Sequence, residues 1–539
     1  MTTYRLFVSS RYLNIPVKNN ARKSFVRFSL DGILVREFDV ELAADPTDFW
    51  VYSDLMEYMG KILEITVEDY HGKKDLSELF ILSDTIKDSE NLYDEKYRPQ
   101  LQFSSKRGWL NDPNGLVYYK GEYHLFYQHN PYGVLWGNMH WGHAVSKDLF
   151  HWEELGDALY PDDMGTMFSG SGVVDENNTT GFQTGEEKPL VLIYTAAGSE
   201  SPRSKGVRYT QCLAYSNDCG RTWIKYEKNP VLGNIIGANR DPKVFWHEAT
   251  NQWVMALFLD KNDFALFTSP NLKDWEKTCD IHFPTGRECP DLFELPVDGD
   301  LNYKKWVFWD PKGSYMIGSF DGKTFTQESI VYCTHFGPNY YAAQTWSGIS
   351  QKDGHVIQTA WSRTNLPGMP FNSFLTVPCT LSLRTTQEGI RLCYWPVDEI
   401  KNLYAQKHSK ENIHLNHEKM LQTGVCAELL DISTTIEIGS SSEIVILIHG
   451  IPVVYKVQEK KLICQNVSTS MNLVDGKLQL RILVDRTGLT IFGNDGETYM
   501  PVGTMLNQNI RSVDVFVRDG SARLEAMSIT ELKSCWEKE

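Results

Sequence analysis

The sequence predicts an all-β protein of several domains, and three observations carry that prediction. Strand-forming aromatic runs recur along nearly the whole chain, long helical periodicities are scarce, and 539 residues exceed one hydrophobic core on a domain scale of roughly 100–200 residues. Aromatic residues make up 12% of the chain, a composition suited to pleated surfaces and to flat apolar faces that stack on sugar rings.

Residues 1–84 hold segments such as KSFVRFSL-DG-ILVREFDVEL and GKILEITVEDYHG, which alternate apolar and polar positions around Gly-containing turns. This pattern predicts a small accessory β-rich domain. The polar stretch at 85–100 then predicts a linker. Between 101 and 400 the runs LVYYKGEYHLFYQ, PLVLIYTAA, NQWVMALFLD, KKWVFWDPKG and HVIQTAWSR stand roughly 50–70 residues apart. One four-stranded propeller blade with long loops needs about that length, so five or so blades fill the region; the same strand character also suits a large sandwich. Over 401–539, SSEIVILIHGIPVVYKV and KLQLRILVDRTGLTIFGNDGETYM are short strands that predict a β-sandwich.

A formal net charge of −16 argues against nucleic acid or an anionic membrane as partner, and a neutral ligand fits better. No run approaches the ~18 apolar residues of a membrane span, and MTTYRLFVSSRYLNIPV lacks a leader pattern. The chain therefore reads as cytoplasmic, while a removed leader for secretion or periplasmic export leaves the same sequence. The ten cysteines are scattered without a C-x-x-C pair, which points to reduced, mostly buried thiols. No metal and no cofactor is expected: His129, His140 and His143 read as hydrogen-bonding loop residues without a matched acidic third ligand.

The segment GWLNDPNGLVYYKGEYHLFYQHNP, residues 108–131, contains a β-hairpin turning at Lys120-Gly121. Its NDPNG cluster suits a plain turn, and equally a pocket carboxylate, Asp112, ringed by Trp109, Asn111 and aromatic strands. Two segments share the pattern of an acid, then Pro or Cys-Pro, then an aromatic strand: ANRDPKVFW (238–246) and GRECPDLFEL (286–295). Asp241 lies 129 positions after Asp112 and Glu288 another 47 on, so only equivalent positions on different blades of a radial fold bring them together. Singly, each reads as a solvated turn acid. Jointly they meet the requirement for glycosidic bond cleavage, two carboxylates in different protonation states. On this reading Arg240 keeps Asp241 ionised, Asp112 stays charged and attacks, and Glu288, beside Cys289 and Pro290, sits where desolvation raises its pKa as a general acid requires.

WLNDPNG, YQHNP, WGNMHWGHAVSKDLFHWEEL, FSGSGVVD, RDPKVFW, ECPDLFEL and YYAAQTW occur in one order over residues 97 to about 400. Together they resemble glycoside hydrolase family 32, the invertase, inulinase and levanase family of fructosidases. The resemblance implies a five-bladed β-propeller followed by a β-sandwich. It also implies a retaining hydrolase that releases terminal β-fructofuranosyl units from sucrose or fructans through a covalent fructosyl-enzyme. Asp112 resembles the nucleophile, Glu288 the acid/base and Asp241 the transition-state stabiliser. Positions that resemble the family's substrate-binding residues are Trp109, Asn111, Gln128, Trp136, Phe168, Ser169, Arg240, Tyr341 and Trp361. Trp136 and Phe168 equally suit packing roles, and Cys289 reads as a small packing residue beside the acid.

Two departures stand out. Thr490 replaces the acid of a segment that often reads S-x-E-x-F, and Cys379 stands where Arg is common. The first departure touches domain docking or subsite detail. The N-terminal 95 residues or so lie outside the family pattern and read as a lid, a docking surface or a stabiliser. Two rival readings stay open: a fructosyltransferase with the same trio and, from another class, a non-catalytic fructan-binding protein. Choice among sucrose, inulin and levan lies in loops beyond the first pocket, and the oligomeric state is open.

Overall fold

The computed structural model describes residues 1–44, 46–349 and 354–537. The N-terminal region is a small two-sheet sandwich. One sheet orders Thr2–Phe7, Ile62–Glu68, Ser24–Leu30 and Ile33–Val40 side by side, and the other orders Phe49–Asp54, Tyr12–Val17 and Ile81–Ser83. Alternation in Ser24–Leu30 turns Val26 and Phe28 inward, and the Asp31-Gly32 turn has φ of 49° and 78°, the twist that a two-residue hairpin requires. Tyr132, from outside this domain, joins its core.

The propeller follows. Its five innermost strands are Gly108–Tyr119, Thr166–Val174, Arg240–His247, Asp291–Val297 and Tyr341–Thr345, and each opens an antiparallel blade. The ring closes where Phe371–Asn372 runs parallel to Gly108-Trp109. Lys120-Gly121 forms the expected hairpin turn, with φ of 47° and 86°. NDPNG is no turn. It lies inside the first innermost strand, whose pairing slips between Leu110 and Pro113 and again between Asn114 and Val117. Asn, Pro and Gly serve a bulge there for the reason they serve a turn: each tolerates backbone that a regular ladder forbids.

Innermost strands approach so closely that a Cβ on Gly172 would stand 2.5 Å from the Gly115 carbonyl oxygen. Buried polar groups stitch the blades around the axis. Lys243 Nζ reaches Thr345 O at 2.7 Å and Asp291 Oδ2 at 3.4 Å, and Gln344 Nε2 donates to Gly170 O at 2.9 Å. Lys243, Asp291 and Gln344 thus each meet a partner, as burial demands.

The C-terminal sandwich packs two six-stranded sheets over an aliphatic core that includes Ile432, Ile446, Ile482 and Val515. The connecting segment 85–100 is anchored rather than loose: Tyr93 stacks on Trp536 at 4.2 Å, and Asp485 accepts from the Gln100 and Leu101 N–H groups at 2.8 and 2.9 Å. Thr490 is buried at the seam between propeller and sandwich beside Thr376 and Pro501, and Cys379 is buried in the core the two share. Among the described residues no helix is long and apolar enough to cross a membrane.

Candidate active site

All five innermost strands break their register, and in four of them a break spans a candidate residue or its immediate neighbours, the remaining strand, Asp291–Val297, slipping only between Pro296 and Val297. The slip between Leu110 and Pro113 carries Asn111 and Asp112; that between Phe168 and Gly170 carries Ser169. The slip between Arg240 and Lys243 carries Asp241, and that between Tyr341 and Gln344 follows Tyr341. The fourth blade instead delivers Glu288 and Cys289 from the loop before Asp291–Val297. A bulge turns a side chain off the alternating pleat, so these strands aim polar groups along the funnel while their neighbours keep packing the blade. Asp241, Cys289 and Ala342 adopt φ of 64°, 41° and 50°, left-handed backbone that costs non-glycine residues about 1–2 kcal/mol each.

The three acids meet. Cys289 Sγ lies 3.6 Å from Asp112 Oδ2 and 3.4 Å from Asp241 Oδ2, and its N–H donates to Asp241 Oδ2 at 3.2 Å. Arg240 Nη2 donates to Glu288 Oε2 at 2.6 Å, with Nε 3.5 Å from Asp241 Oδ2. Asp112 accepts from Ser169 Oγ at 2.7 Å and from Asn111 Nδ2 at 3.1 Å. The Tyr341 hydroxyl donates to Glu288 Oε1.

Around them, Trp109 Nε1 donates to Asn111 Oδ1 at 2.8 Å, and the Trp361 ring stands edge-on to Trp109 at 5.6 Å and to Tyr341 at 6.2 Å. Gln128 Nε2 reaches Ser169 Oγ at 3.4 Å. Trp136 meets Phe168 edge-on at 6.0 Å, and Phe168 meets Tyr209 at 5.6 Å. The structure thus joins all three acids and all nine candidate binding residues into one contiguous patch.

The electrostatics revise two expectations. Arg240 does not hold Asp241 in the ordinary carboxylate range. Burial raises the Asp241 pKa, and the neighbouring Glu288 and Asp112 charges add to it, because Asp241 is only 5% exposed and the guanidinium bonds more closely to Glu288. Burial likewise lifts Asp112 to about 6, against the pull of its Ser169 hydrogen bond. Glu288, expected to be the desolvated acid, keeps 25% of its side chain exposed.

Other residues were not legible as site residues. Cys289 is more than packing, since its backbone and thiol bridge two carboxylates. Thr195 Oγ1 accepts from the Asp241 N–H at 2.9 Å and donates to Gln211 Oε1 at 2.7 Å. The one signal for Thr195 was a hydroxyl interrupting the apolar run LVLIYTAA. The three histidines lie on strands and not in loops. His129 Nδ1 is 2.6 Å from Asp157 Oδ1, His143 pairs with His124 at 3.1 Å, and His140 meets Asn138 O.

Residues 102–396 match the family model described as the glycosyl hydrolases family 32 N-terminal domain. The chain belongs to glycoside hydrolase family 32. Within that family it is 38% identical over 492 residues to a levanase from Bacillus subtilis (strain 168), covering 82% of this chain and 72% of that protein. It is 38% identical over 365 residues to the extracellular exo-inulinase of Aspergillus ficuum, covering 59% of this chain and 67% of that protein. Among solved structures, exo-inulinase from Aspergillus awamori superposes with a TM-score of 0.74 at 28% identity, covering 82% of this chain and all of the other (100%). A fructofuranosidase variant from Schwanniomyces occidentalis complexed with fructosylnystose gives 0.73 at 28% identity, covering 84% and 99%. The five-bladed propeller and following sandwich are this family's architecture, and the protein is a glycoside hydrolase.

Proposed function

We propose that the protein is a retaining β-fructofuranosidase that removes terminal fructosyl units from fructans or sucrose by double displacement. In the first step an Asp112 oxygen forms a bond to the anomeric C2 while the glycosidic C2–O bond breaks and Glu288 donates its proton to the departing oxygen. In the second, Glu288 takes a proton from water, the water oxygen bonds to C2, and the Asp112 ester opens to free fructose. Asp241 accepts hydrogen bonds from fructose hydroxyls and transfers no proton. As positive charge grows on the ring, the surrounding carboxylates oppose it favourably.

The observation that carries this reading is the convergence of three carboxylates in one cluster, Arg240 contacting Asp241 and Glu288 while the Cys289 thiol reaches Asp112 and Asp241. Burial, with the neighbouring carboxylate charges, raises both Asp112 and Asp241. Asp112, at about 6, is mostly ionised at neutral pH and able to attack. Arg240 and Tyr341 fix both Glu288 oxygens, so the acid is held in place through both steps. Relatives named levanase and exo-inulinase support the fructan substrate class.

Incubating the protein separately with sucrose, inulin and levan tests the proposal. Free fructose as the main early product supports exo-acting hydrolysis; dominant oligosaccharides at high sucrose refute hydrolysis in favour of transfer, and no turnover leaves the binding-protein reading.

A further inference from the structure

The N-terminal domain is set against the mouth of the funnel by the strand Ile33–Val40, with Ser53 of Phe49–Asp54 beside it. Asp39 offers both main-chain groups to Asn138: its N–H donates to Asn138 Oδ1 at 3.0 Å, and its carbonyl accepts from Asn138 Nδ2 at 2.9 Å. Phe38 stacks on Tyr132 at 3.6 Å and 10°, and the Tyr132 hydroxyl meets Ser53 Oγ at 2.9 Å. These contacts grip both ends of the loop 131–138, whose tip carries Leu135 and Trp136, each about half exposed at 51% and 50%. On the same strand, the buried Glu37 carboxylate accepts from the Arg203 N–H of a second-blade loop at 2.8 Å. That loop carries Glu200, whose Oε1 accepts from the Tyr209 hydroxyl at 2.6 Å.

Trp136, Phe168 and Tyr209 form a continuous edge-to-face wall, and Phe168 adjoins Ser169, the hydrogen-bond donor to Asp112. Both loops that flank this wall are therefore fastened to alternate residues of one accessory strand, Glu37 and Asp39. Among the described residues no propeller strand pairs with the two loops' tips in a ladder; Asn130 Nδ2 donates to Leu135 O at 2.8 Å and Asn372 Nδ2 to Val134 O at 3.0 Å, and the accessory strand adds its own bonds at Asn138 and Arg203.

We infer that the N-terminal domain is a rim-building module: Glu37, Phe38 and Asp39 position the Trp136–Phe168–Tyr209 wall as the platform for fructosyl units beyond the one cleaved. Glu37 and Asn138 are positioning residues that act through the wall and touch no reacting atom. The inference rests on the hydrolase reading above and deepens it. An aromatic wall that is partly exposed, most of all at Trp136, suits the flat apolar faces of a furanose chain, and holding it rigid lowers the ordering cost of binding.

The test compares Glu37→Ala, Glu37→Gln and Asn138→Ala in the full chain on a short substrate, sucrose or a fructosyl trisaccharide, and on long levan or inulin. The expected result is a KM for the long fructan raised about fivefold or more in Glu37→Ala and Asn138→Ala, with kcat on the short substrate within about twofold of the parent. Glu37→Gln keeps an oxygen for the Arg203 N–H and behaves as the parent. Equal proportional losses on short and long substrates, or no change on either, overturn the positioning role and leave the hydrolase reading intact. Failure of the parent protein on every substrate overturns both.

Discussion

The sandwich and the propeller are built from the same kind of strand and use it differently. In the sandwich, the hairpins from Glu443 to Ser470 and from Lys477 to Gly503 pair residue for residue without a slip, and most of their side chains are buried. In the propeller, four of five innermost strands slip at the site. Regular pairing maximises ladder bonds and core packing. A slipped pair forfeits some of both and aims a polar side chain where alternation forbids it. On the proposed mechanism, chemistry in this molecule sits where the β pattern fails, and variants in each region set the two regimes against each other.

The largest effect falls on the funnel. Glu288→Ala should lower kcat by about 10²–10⁴-fold, with the melting temperature little changed, as read by steady-state kinetics and thermal unfolding. Next comes the axis that holds the funnel together. Asp291→Ala leaves Lys243 buried without its carboxylate and should cost about 3–5 kcal/mol in denaturant unfolding.

In the regular region, Ile446→Ala opens a cavity in the sandwich core and should cost about 2–5 kcal/mol while kcat stays at the parental value. If that variant lost activity in step with Glu288→Ala, the division between a scaffold and a reacting region would fail.

A smaller effect carries a definite sign. The folded-state pKa of Asp112 is raised, to about 6, above its unfolded value, so the folded state binds this proton more tightly. Its penalty on stability is absent below the unfolded value, grows as pH rises through 4 to 6, and is full above about 6. Asp112→Asn should therefore abolish turnover yet stabilise the protein by about 1–2 kcal/mol at pH 8, water in the funnel screening part of the gain, and by little at pH 4. The parental rate should fall as pH drops through about 6, where the nucleophile gains its proton, and not near 4.

How much of this was legible follows the same division. Alternation and turn residues gave away the accessory sheets, the Lys120-Gly121 hairpin and the sandwich strands, because each follows from local backbone preference. Motif resemblance singled out the three acids, and the radial fold brings them together. NDPNG was ambiguous because turn and bulge draw on the same residues. The tighter bonding of Arg240 to Glu288 than to its neighbour Asp241 was hidden, since sequence adjacency says nothing of which carboxylate the guanidinium faces. So was the Asn138–Asp39 clasp, which joins positions 99 apart and belongs to no motif.

The most direct test quenches the enzyme with acid during turnover of sucrose or a short fructan and maps its peptides by mass. The account predicts one added fructosyl unit on the peptide carrying Asp112, absent in Asp112→Asn and accumulating when Glu288 is replaced and an activated fructoside is supplied. An adduct on Asp241 or Glu288, or turnover with inverted product and no adduct at all, would contradict it.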